Sequence, residues 1–95
     1  EKISARQADA WGMIWEAVDD DAFDAHWRAR AAHLAQGPTA AYAAAKEMIR
    51  GSWDNGFEEQ IAAEARAQGR CGKSRDFKEG VLAFMEKRPA TFEGR

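Results

Sequence analysis

Residues 74–89 read SRDFKEGVLAFMEKRP, and this stretch shows most clearly how the chain is expected to fold. Ser74 stands just before the first apolar residue and is a preferred helix N-cap. Large apolar side chains then recur at i, i+4, i+7 and i+8, the spacing of one helical face: Phe77, Val81, Phe84 and Met85. Lys87 and Arg88 suit the negative end of the helix dipole, and Pro89 stops the helix. The stretch predicts an amphipathic helix with a marked start and end.

Upstream of this stretch the sequence predicts further helices. The capping-box pattern Ser4–Gln7 opens a short helix over residues 5–11, which Gly12 ends. Asp19–Asp21 supply caps and favourable negative charge for a second helix, which stops at Gly37.

A third and a fourth helix complete the series. The third is expected over about residues 38–52, because Pro38 is tolerated in a first turn. Asn55, with Glu58 three residues later, is predicted to cap the fourth helix, which breaks at Gly69–Gly72. The apolar stripes of helices two to four are Phe23, Trp27, Ala31 and Leu34; Tyr42, Ala45, Ile49 and Trp53; and Phe57, Ile61 and Ala65.

One segment does not follow helical spacing. Met13–Val18 carries β-branched and aromatic residues, and it is predicted to be extended. The fold class is therefore mainly all-α, with about five helices and at most one short strand.

The composition offers little material for an independent core. Apolar residues make up 45% of the 95 residues. However, 21 of them are alanines, and only 13 are Val, Ile, Leu or Phe. The low net charge of −2 and the four tryptophans argue against disorder. We therefore expect a helical piece that borrows core from something else.

Composition also argues against several classes of protein. No run approaches 18 consecutive apolar residues, so no membrane span is expected, and no basic-then-apolar leader indicates a signal peptide. The single cysteine, Cys71, suits a reducing cytoplasm. The slightly acidic balance argues against a dedicated nucleic-acid binder. Because the chain begins at Glu1, we expect a processed or truncated product.

Charge is distributed unevenly along the chain. Residues 1–63 carry 6 Lys/Arg against 11 Asp/Glu, whereas residues 64–95 carry 8 against 5. The positive balance of the last third suggests that it faces an anion or an acidic surface. Ordinary solvated helix faces are the alternative interpretation.

The residues themselves show no catalytic constellation and no metal site. His26 and His33 are seven residues apart on one helix, or ~10 Å along its axis, which is too far for one zinc ion. Asp19–Asp21 lack the alternating ligands of a calcium loop and are expected to cap a helix. Nothing marks Cys71 as a nucleophile.

Several blocks, in order and at suitable separations, resemble the closing portion of a crotonase-family enzyme. They are AWGMIW at residues 10–15, QGPT at residues 36–39, Lys46, and the tail FKEGVLAFMEKRP at residues 77–89 followed by TFEGR at residues 91–95. The resemblance covers essentially the whole chain. Together with FEEQ at residues 57–60 and QGR at residues 68–70, the first block looks most like the phenylacetate-degradation branch, that of a ring 1,2-epoxyphenylacetyl-CoA isomerase.

The resemblance implies a fold and a reaction. In the family, two backbone N–H groups form an oxyanion hole for the thioester carbonyl of a coenzyme A substrate, and one or two carboxylates move protons. Those parts lie in a β/α spiral core that precedes the segment seen here. Residues 1–18 are then the end of that core, and residues 19–95 are the C-terminal helical region for oligomerisation and active-site cover. Alone, the chain is expected to be inactive.

Two residues are carried over as coenzyme A contacts. Lys87 matches a lysine that reaches the adenine and 3′-phosphate end of coenzyme A held by a neighbouring subunit, although a plain helix-terminal charge would also explain it. Phe84 packs the last helix or lines the CoA or acyl pocket. Gln68 stands where some hydratases place an aromatic residue against the adenine, which puts that stacking contact in doubt.

The resemblance further implies a homo-oligomer, a trimer or a hexamer of paired trimers, with an acyl-CoA substrate and no covalently bound cofactor. The residues themselves predict a cytoplasmic protein with no metal, nucleic-acid or membrane partner. The alternative is a stand-alone helical interaction module without enzymatic activity. Affinity for coenzyme A distinguishes the two, because a pure scaffold has none.

Overall fold

The computed structural model describes residues 2–95 and contains five helices. They are α1 (Ala5–Ala10), α2 (Asp20–Ala35), α3 (Thr39–Gly51), α4 (Phe57–Cys71) and α5 (Arg75–Glu86). Within residues 2–95 no strand forms. The prediction of an all-α fold with five helices is therefore confirmed.

Helix α1 begins and ends as local sequence rules require. The Ser4 hydroxyl accepts a hydrogen bond from the Gln7 backbone N–H at 3.2 Å, which confirms the predicted cap. Gly12 follows the helix with a φ of +71°. Its N–H and that of Met13 bond back to the carbonyls of Asp9 and Ala8 at 2.8 and 2.9 Å. This is a Schellman motif, in which a left-handed glycine satisfies the last helical carbonyls.

The segment Met13–Val18 forms no strand, so the prediction of an extended piece was wrong. A turn and a series of bends occupy residues 11–15, and residues 16–19 have no regular structure. The contacts of this segment run to side chains instead of to a second strand. The Ala17 N–H donates to Asp9 Oδ2 at 2.9 Å, and Glu16 pairs with His26. β-Propensity favours a strand only where a partner strand exists.

Helix α3 starts one residue later than predicted, with Pro38 as its N-cap. The predicted cap of α4 at Asn55 was also wrong, because Gly56 is the N-cap. The Glu59 carboxylate accepts from the Gly56 N–H at 3.0 Å, while the Asn55 amide donates to Gln60 at 3.0 Å. The capping pattern is present but is shifted by one residue.

Helix α4 runs through Gly69 and ends at Cys71, so the predicted break begins at Gly72 and not at Gly69. Helices α3 and α4 pack against each other. The Gln60 side-chain amide donates to the Met48 carbonyl at 3.1 Å, and Arg70 pairs with Glu47 at 3.1 Å. Trp53, which the stripe of the third helix included, lies in the turn between the two helices and is 89% exposed.

The chain buries very few side chains. Within residues 2–95 the buried residues are Ala67, Ala83 and one charged residue, Asp76. Large apolar side chains remain open to solvent on helices α2 to α5, including Phe57 at 83% and Phe84 at 85% exposure. Among the helices within residues 2–95, none combines the length and the apolar composition that a membrane span requires. The chain divides into two compact units, Glu1–Ala32 and His33–Arg95, and the second contains the site described next.

Candidate functional site

The two predicted contact residues lie at the C-terminal end of α5. The Ser74 hydroxyl accepts from the Phe77 N–H at 3.0 Å, so the predicted N-cap of this helix is confirmed. Phe84 lies in the last turn, with its ring almost fully exposed. Lys87 follows the helix directly. The structure thus places both side chains within one helical turn of each other.

Lys87 has a backbone conformation that few lysines adopt. Its φ and ψ are 54° and 39°, in the left-handed helical region. The Lys87 N–H bonds to the Phe84 carbonyl at 3.3 Å, and the Arg88 N–H bonds to the Ala83 carbonyl at 3.0 Å. These are the two bonds of a Schellman motif, whose left-handed position is usually glycine. After α5 this left-handed position is occupied by Lys87 instead.

Arg88 holds the residues around this turn with its side chain. The guanidinium Nη1 and Nη2 donate to the two carboxylate oxygens of Glu79 at 2.6 and 3.0 Å, and Nε donates to Glu86 at 2.6 Å. Glu79 also accepts from the Thr91 backbone N–H at 2.8 Å. A bidentate arginine–carboxylate pair is among the stronger ion-pair geometries. We call Glu79 and Arg88 the arginine clamp.

The arginine clamp shifts the titration of both partners. The hydrogen bonds from Arg88 and then from the Thr91 N–H lower the pKa of Glu79 from 4.5 to about 2. The same pair, with Glu86, raises the pKa of Arg88 further above its ordinary value. Since only 23% of the Glu79 side chain is exposed, solvent screens this pair less than it screens an open surface pair.

Acid is therefore expected to weaken the tail contacts through Glu79. Because its pKa is lower in the folded state, Glu79 contributes stability that is present above about pH 4.5 and is lost as the pH falls toward 2. Urea denaturation between pH 6 and pH 2 should show a flatter pH dependence for Glu79→Gln than for the unmodified chain. Arg88→Gln removes the same pair and should behave alike. Parallel curves for all three proteins would contradict this assignment.

A second carboxylate fastens the end of the chain to the start of α5. Asp76 is 4% exposed, and its two oxygens accept from the backbone N–H groups of Glu93 and Gly94 at 2.7 and 2.9 Å. The Asp76 N–H, which has no partner within the first helical turn, donates to the Arg95 carbonyl at 3.0 Å. We call these contacts of Asp76 the aspartate clamp. Tail residues 89–95 are thus bound to α5 at two places.

The last glycine makes this close approach possible. Gly94 has a φ of +78°, and a Cβ built on it would lie 2.6 Å from the Thr39 hydroxyl oxygen. Any other residue would therefore strain the backbone and collide with the first residue of α3.

An apolar cavity of about 410 Å³ lies beside the aspartate clamp, within residues 33–95. It is bordered by the start of α3, the end of α4, one face of α5 and the tail, through Pro38, Ala40, Ala41, Cys71, Ser74, Asp76, Phe77, Gly80, Val81, Phe84 and Phe92. The predicted contact residue Phe84 belongs to this lining. The cavity can accept an apolar group, and Asp76 in its wall is occupied by the tail.

The other residues that the sequence singled out lie elsewhere. His26 pairs with Glu16 and not with His33. Within residues 2–95, no three His, Cys, Asp or Glu side chains converge as metal ligands would. Gln68 is exposed on α4, and Cys71 is a half-buried free thiol in the cavity wall.

Sequence reasoning missed both clamps. Glu79 and Arg88 are nine residues apart, and Asp76 and Gly94 are eighteen apart, so neither pair follows helical or strand spacing. The available signals were indirect. An acidic residue is favoured inside the first turn of a helix, and its carboxylate oxygens can accept hydrogen bonds.

Comparison with known proteins gives a consistent result. The sequence profile of the family described as enoyl-CoA hydratase/isomerase matches residues 1–95. A probable enoyl-CoA hydratase from Rhodobacter capsulatus is 57% identical over 95 residues, which are the whole of this chain and 37% of that protein. The 1,2-epoxyphenylacetyl-CoA isomerase of Escherichia coli is 38% identical over 94 residues, 99% of this chain and 36% of the isomerase.

A solved structure confirms the fold. The crystal structure of a protein described as an enoyl-CoA hydratase/isomerase from Mycobacterium abscessus matches with a TM-score of 0.91 and 38% identity, over 98% of this chain and 36% of that one. The chain thus spans about a third of the length of the relatives that it matches, and the match is to their helical C-terminal part. The resemblance to the crotonase family is confirmed, and the chain belongs to the enoyl-CoA hydratase/isomerase family.

Proposed function

We propose that this chain is the C-terminal helical part of an enzyme that hydrates or isomerises a coenzyme A thioester, and that it supplies part of the coenzyme A site without being catalytic alone. The observation that carries the proposal is the family match along all 95 residues, which corresponds to only about a third of each relative. In this proposal residues 1–18 end the catalytic β/α spiral core, and residues 19–95 form the helical region beyond it.

The catalytic groups would then lie upstream. The oxyanion hole and the proton-transferring carboxylates that the family uses belong to the spiral core, so the reacting thioester carbonyl is held there. This chain would contribute Lys87 to the 3′-phosphate end of coenzyme A and Phe84 to the CoA or acyl pocket. Lys87 is exposed at the end of α5 and Phe84 lines the apolar cavity, which supports both roles.

The exposed apolar faces support a further part of the proposal. Large side chains such as Phe57 and Trp53 have no partner within residues 2–95 that buries them. We propose that they are covered by the spiral core and by sister subunits of a trimer or a pair of trimers, in the cytoplasm. Such burial would supply the core that the chain itself lacks.

Hydration and isomerisation are the two reaction types that this proposal leaves to be distinguished. The sequence blocks favour the phenylacetate-degradation branch, and the 38% identity to the E. coli isomerase supports it. The relative that is 57% identical is named for hydration. We therefore propose a hydratase or isomerase of this family. A 2-enoyl-CoA is the first substrate to assay, and a ring epoxide of phenylacetyl-CoA is the second.

The alternative function is a helical interaction module with no enzymatic parent. Its supporting observation is the same set of exposed apolar faces, which could bind a protein partner. The two functions differ in chemistry, since a module of this kind has no reason to bind coenzyme A.

Turnover of a CoA thioester tests the proposal. The full-length protein that carries this chain is expected to consume a 2-enoyl-CoA or the ring epoxide of phenylacetyl-CoA, followed by the ultraviolet absorbance of the thioester and by mass spectrometry of the product. The 95-residue chain alone is expected to consume neither. Absence of turnover and of coenzyme A binding in the full-length protein would contradict the proposal and favour the interaction module.

A further inference from the structure

Lys87 occupies a position whose backbone conformation favours glycine over a residue with a Cβ. It is the single residue other than glycine that has a positive φ within residues 2–95, and the two further residues with positive φ are Gly12 and Gly94. Glycine in the same place would make the same Schellman bonds without the steric conflict of a Cβ. Left-handed residues other than glycine persist where the surrounding structure holds them, and they concentrate at functional sites.

The surroundings of Lys87 hold this conformation from both sides. The residue before it, Glu86, and the residue after it, Arg88, are joined by a hydrogen bond of 2.6 Å between their side chains. Arg88 is fixed in addition to Glu79 through two bonds and to the Ala83 carbonyl through its backbone N–H. The turn at Lys87 is therefore closed by side chains that do not include its own.

The same contacts leave the Lys87 ammonium available. Arg88 occupies the carboxylates of both Glu79 and Glu86, which are the acidic side chains closest to Lys87 along α5. No carboxylate within residues 2–95 lies within 4.0 Å of the Lys87 ammonium. The single positive charge of Arg88 offsets one of these two carboxylate charges, which reduces their repulsion of an approaching phosphate.

We propose that the arginine clamp is a positioning device for Lys87, which holds the left-handed turn so that the ammonium faces the phosphate of a coenzyme A thioester. Arg88 and Glu79 act through Lys87 in this account and do not touch the substrate. The proposal rests on the function proposed above for Lys87, and it adds the residues that orient it.

The test compares steady-state kinetics of the full-length enzyme with an acyl-CoA substrate and with the matching ester of 3′-dephospho-coenzyme A. Arg88→Gln is expected to raise KM for the CoA ester about 3- to 10-fold, with kcat within twofold. KM for the dephospho ester should change far less, because a displaced ammonium matters only where the phosphate is present. Arg88→Lys, which keeps the positive charge but loses the bidentate fork, should raise KM for the CoA ester less than Arg88→Gln does.

A combined variant shows whether the clamp acts through Lys87. In a Lys87→Gly background, Arg88→Gln should raise KM no further, since the ammonium is gone and glycine adopts the turn unaided. A second, additive increase would overturn the proposal, as would equal increases for the two esters. Arg75→Gln is the matched control, because Arg75 lies on the same helix in a long pair of 3.8 Å with Glu93. It should leave both KM values unchanged.

The outcomes separate this inference from the function on which it rests. If Lys87→Ala leaves the ratio of the two KM values unchanged, Lys87 does not contact the phosphate. The positioning role proposed for the arginine clamp is then overturned as well. If Lys87→Ala reduces the preference for the phosphorylated ester while Arg88→Gln and Glu79→Gln do not, the phosphate contact of Lys87 is retained. Only the positioning role of the arginine clamp is then overturned. Glu79→Gln removes the clamp from its other side, so the test remains decisive if Arg88→Gln does not fold.

Discussion

Asp76→Ala is expected to lower the free energy of unfolding by about 2–4 kcal/mol, because Asp76 is the one buried polar side chain within residues 2–95. The substitution removes a buried carboxylate that accepts from two backbone N–H groups, those of Glu93 and Gly94. Hydrogen bonds to a charged acceptor are stronger than neutral ones, and their loss leaves both partly buried donors without a partner. Urea denaturation followed by the helical circular dichroism signal measures the loss.

The loss should begin at the tail. Amide hydrogen exchange at residues 93–95 is expected to accelerate in Asp76→Ala before exchange in α4 does, because the aspartate clamp joins the tail to α5 alone. Asp54→Ala is the matched control, since Asp54 lies exposed in the turn before α4. That change should stay within about 0.5 kcal/mol of the unmodified chain. Equal effects at the two aspartates would show that the clamp does not hold the tail.

Gly94 tests the same contact by geometry, and Gly69, which lies outside it, is the comparison. Gly94→Ala places a Cβ 2.6 Å from the Thr39 hydroxyl on a residue with positive φ, so it should destabilise the tail in the same way as Asp76→Ala. Gly69→Ala places a methyl group in open space inside α4. It should instead stabilise the chain by up to about 1 kcal/mol, through better helix propensity.

Lys87→Ala in the full-length enzyme is expected to raise KM for a CoA thioester about 10-fold or more, with kcat nearly retained. The reason is that Lys87 is proposed to contact the phosphate end of the substrate, which is the same in the ground state and in the transition state. Lys78→Ala is the control, because Lys78 is another exposed lysine of α5. It should leave KM unchanged.

Lys87→Gly separates binding from folding. It should weaken binding as Lys87→Ala does, and yet raise the free energy of unfolding, because glycine relieves the left-handed backbone of a φ of 54°. An alanine at the same position keeps the Cβ and gains no such relief. Stability and affinity therefore move in opposite directions in Lys87→Gly, a pattern that a purely structural lysine would not give. A Lys87→Gly protein that binds substrate normally would remove Lys87 from the site.

Most of the fold was predictable because its signals are local. Ser4 and Ser74 each precede a helix and accept from an N–H three residues later, so a pattern of four residues identified both caps. The left-handed Gly12 was predicted as a stop for the same reason. Two of the errors were also local: Gly56 took the cap assigned to Asn55, and α4 continued through Gly69, where an interior glycine costs a helix only about 1 kcal/mol.

The site could be predicted only in part. Lys87 and Phe84 were predicted as contact residues from the resemblance of the tail to the crotonase family. The structure places them together at the end of α5. The contacts that shape this end join Glu79 to Arg88 and Asp76 to Gly94, and no periodicity relates those positions. Whether Met13–Val18 forms a strand likewise depended on a partner strand that residues 2–95 do not contain. Long-range pairing is a property of the folded chain and not of a short window of sequence.

The measurement that tests the central claim most directly is the ratio of KM for a CoA thioester to KM for its 3′-dephospho analogue, in the full-length protein and in Lys87→Ala. The account predicts that the full-length protein prefers the phosphorylated ester and that Lys87→Ala removes most of this preference. A ratio that is the same in both proteins would contradict the claim that this helical chain supplies part of a coenzyme A site.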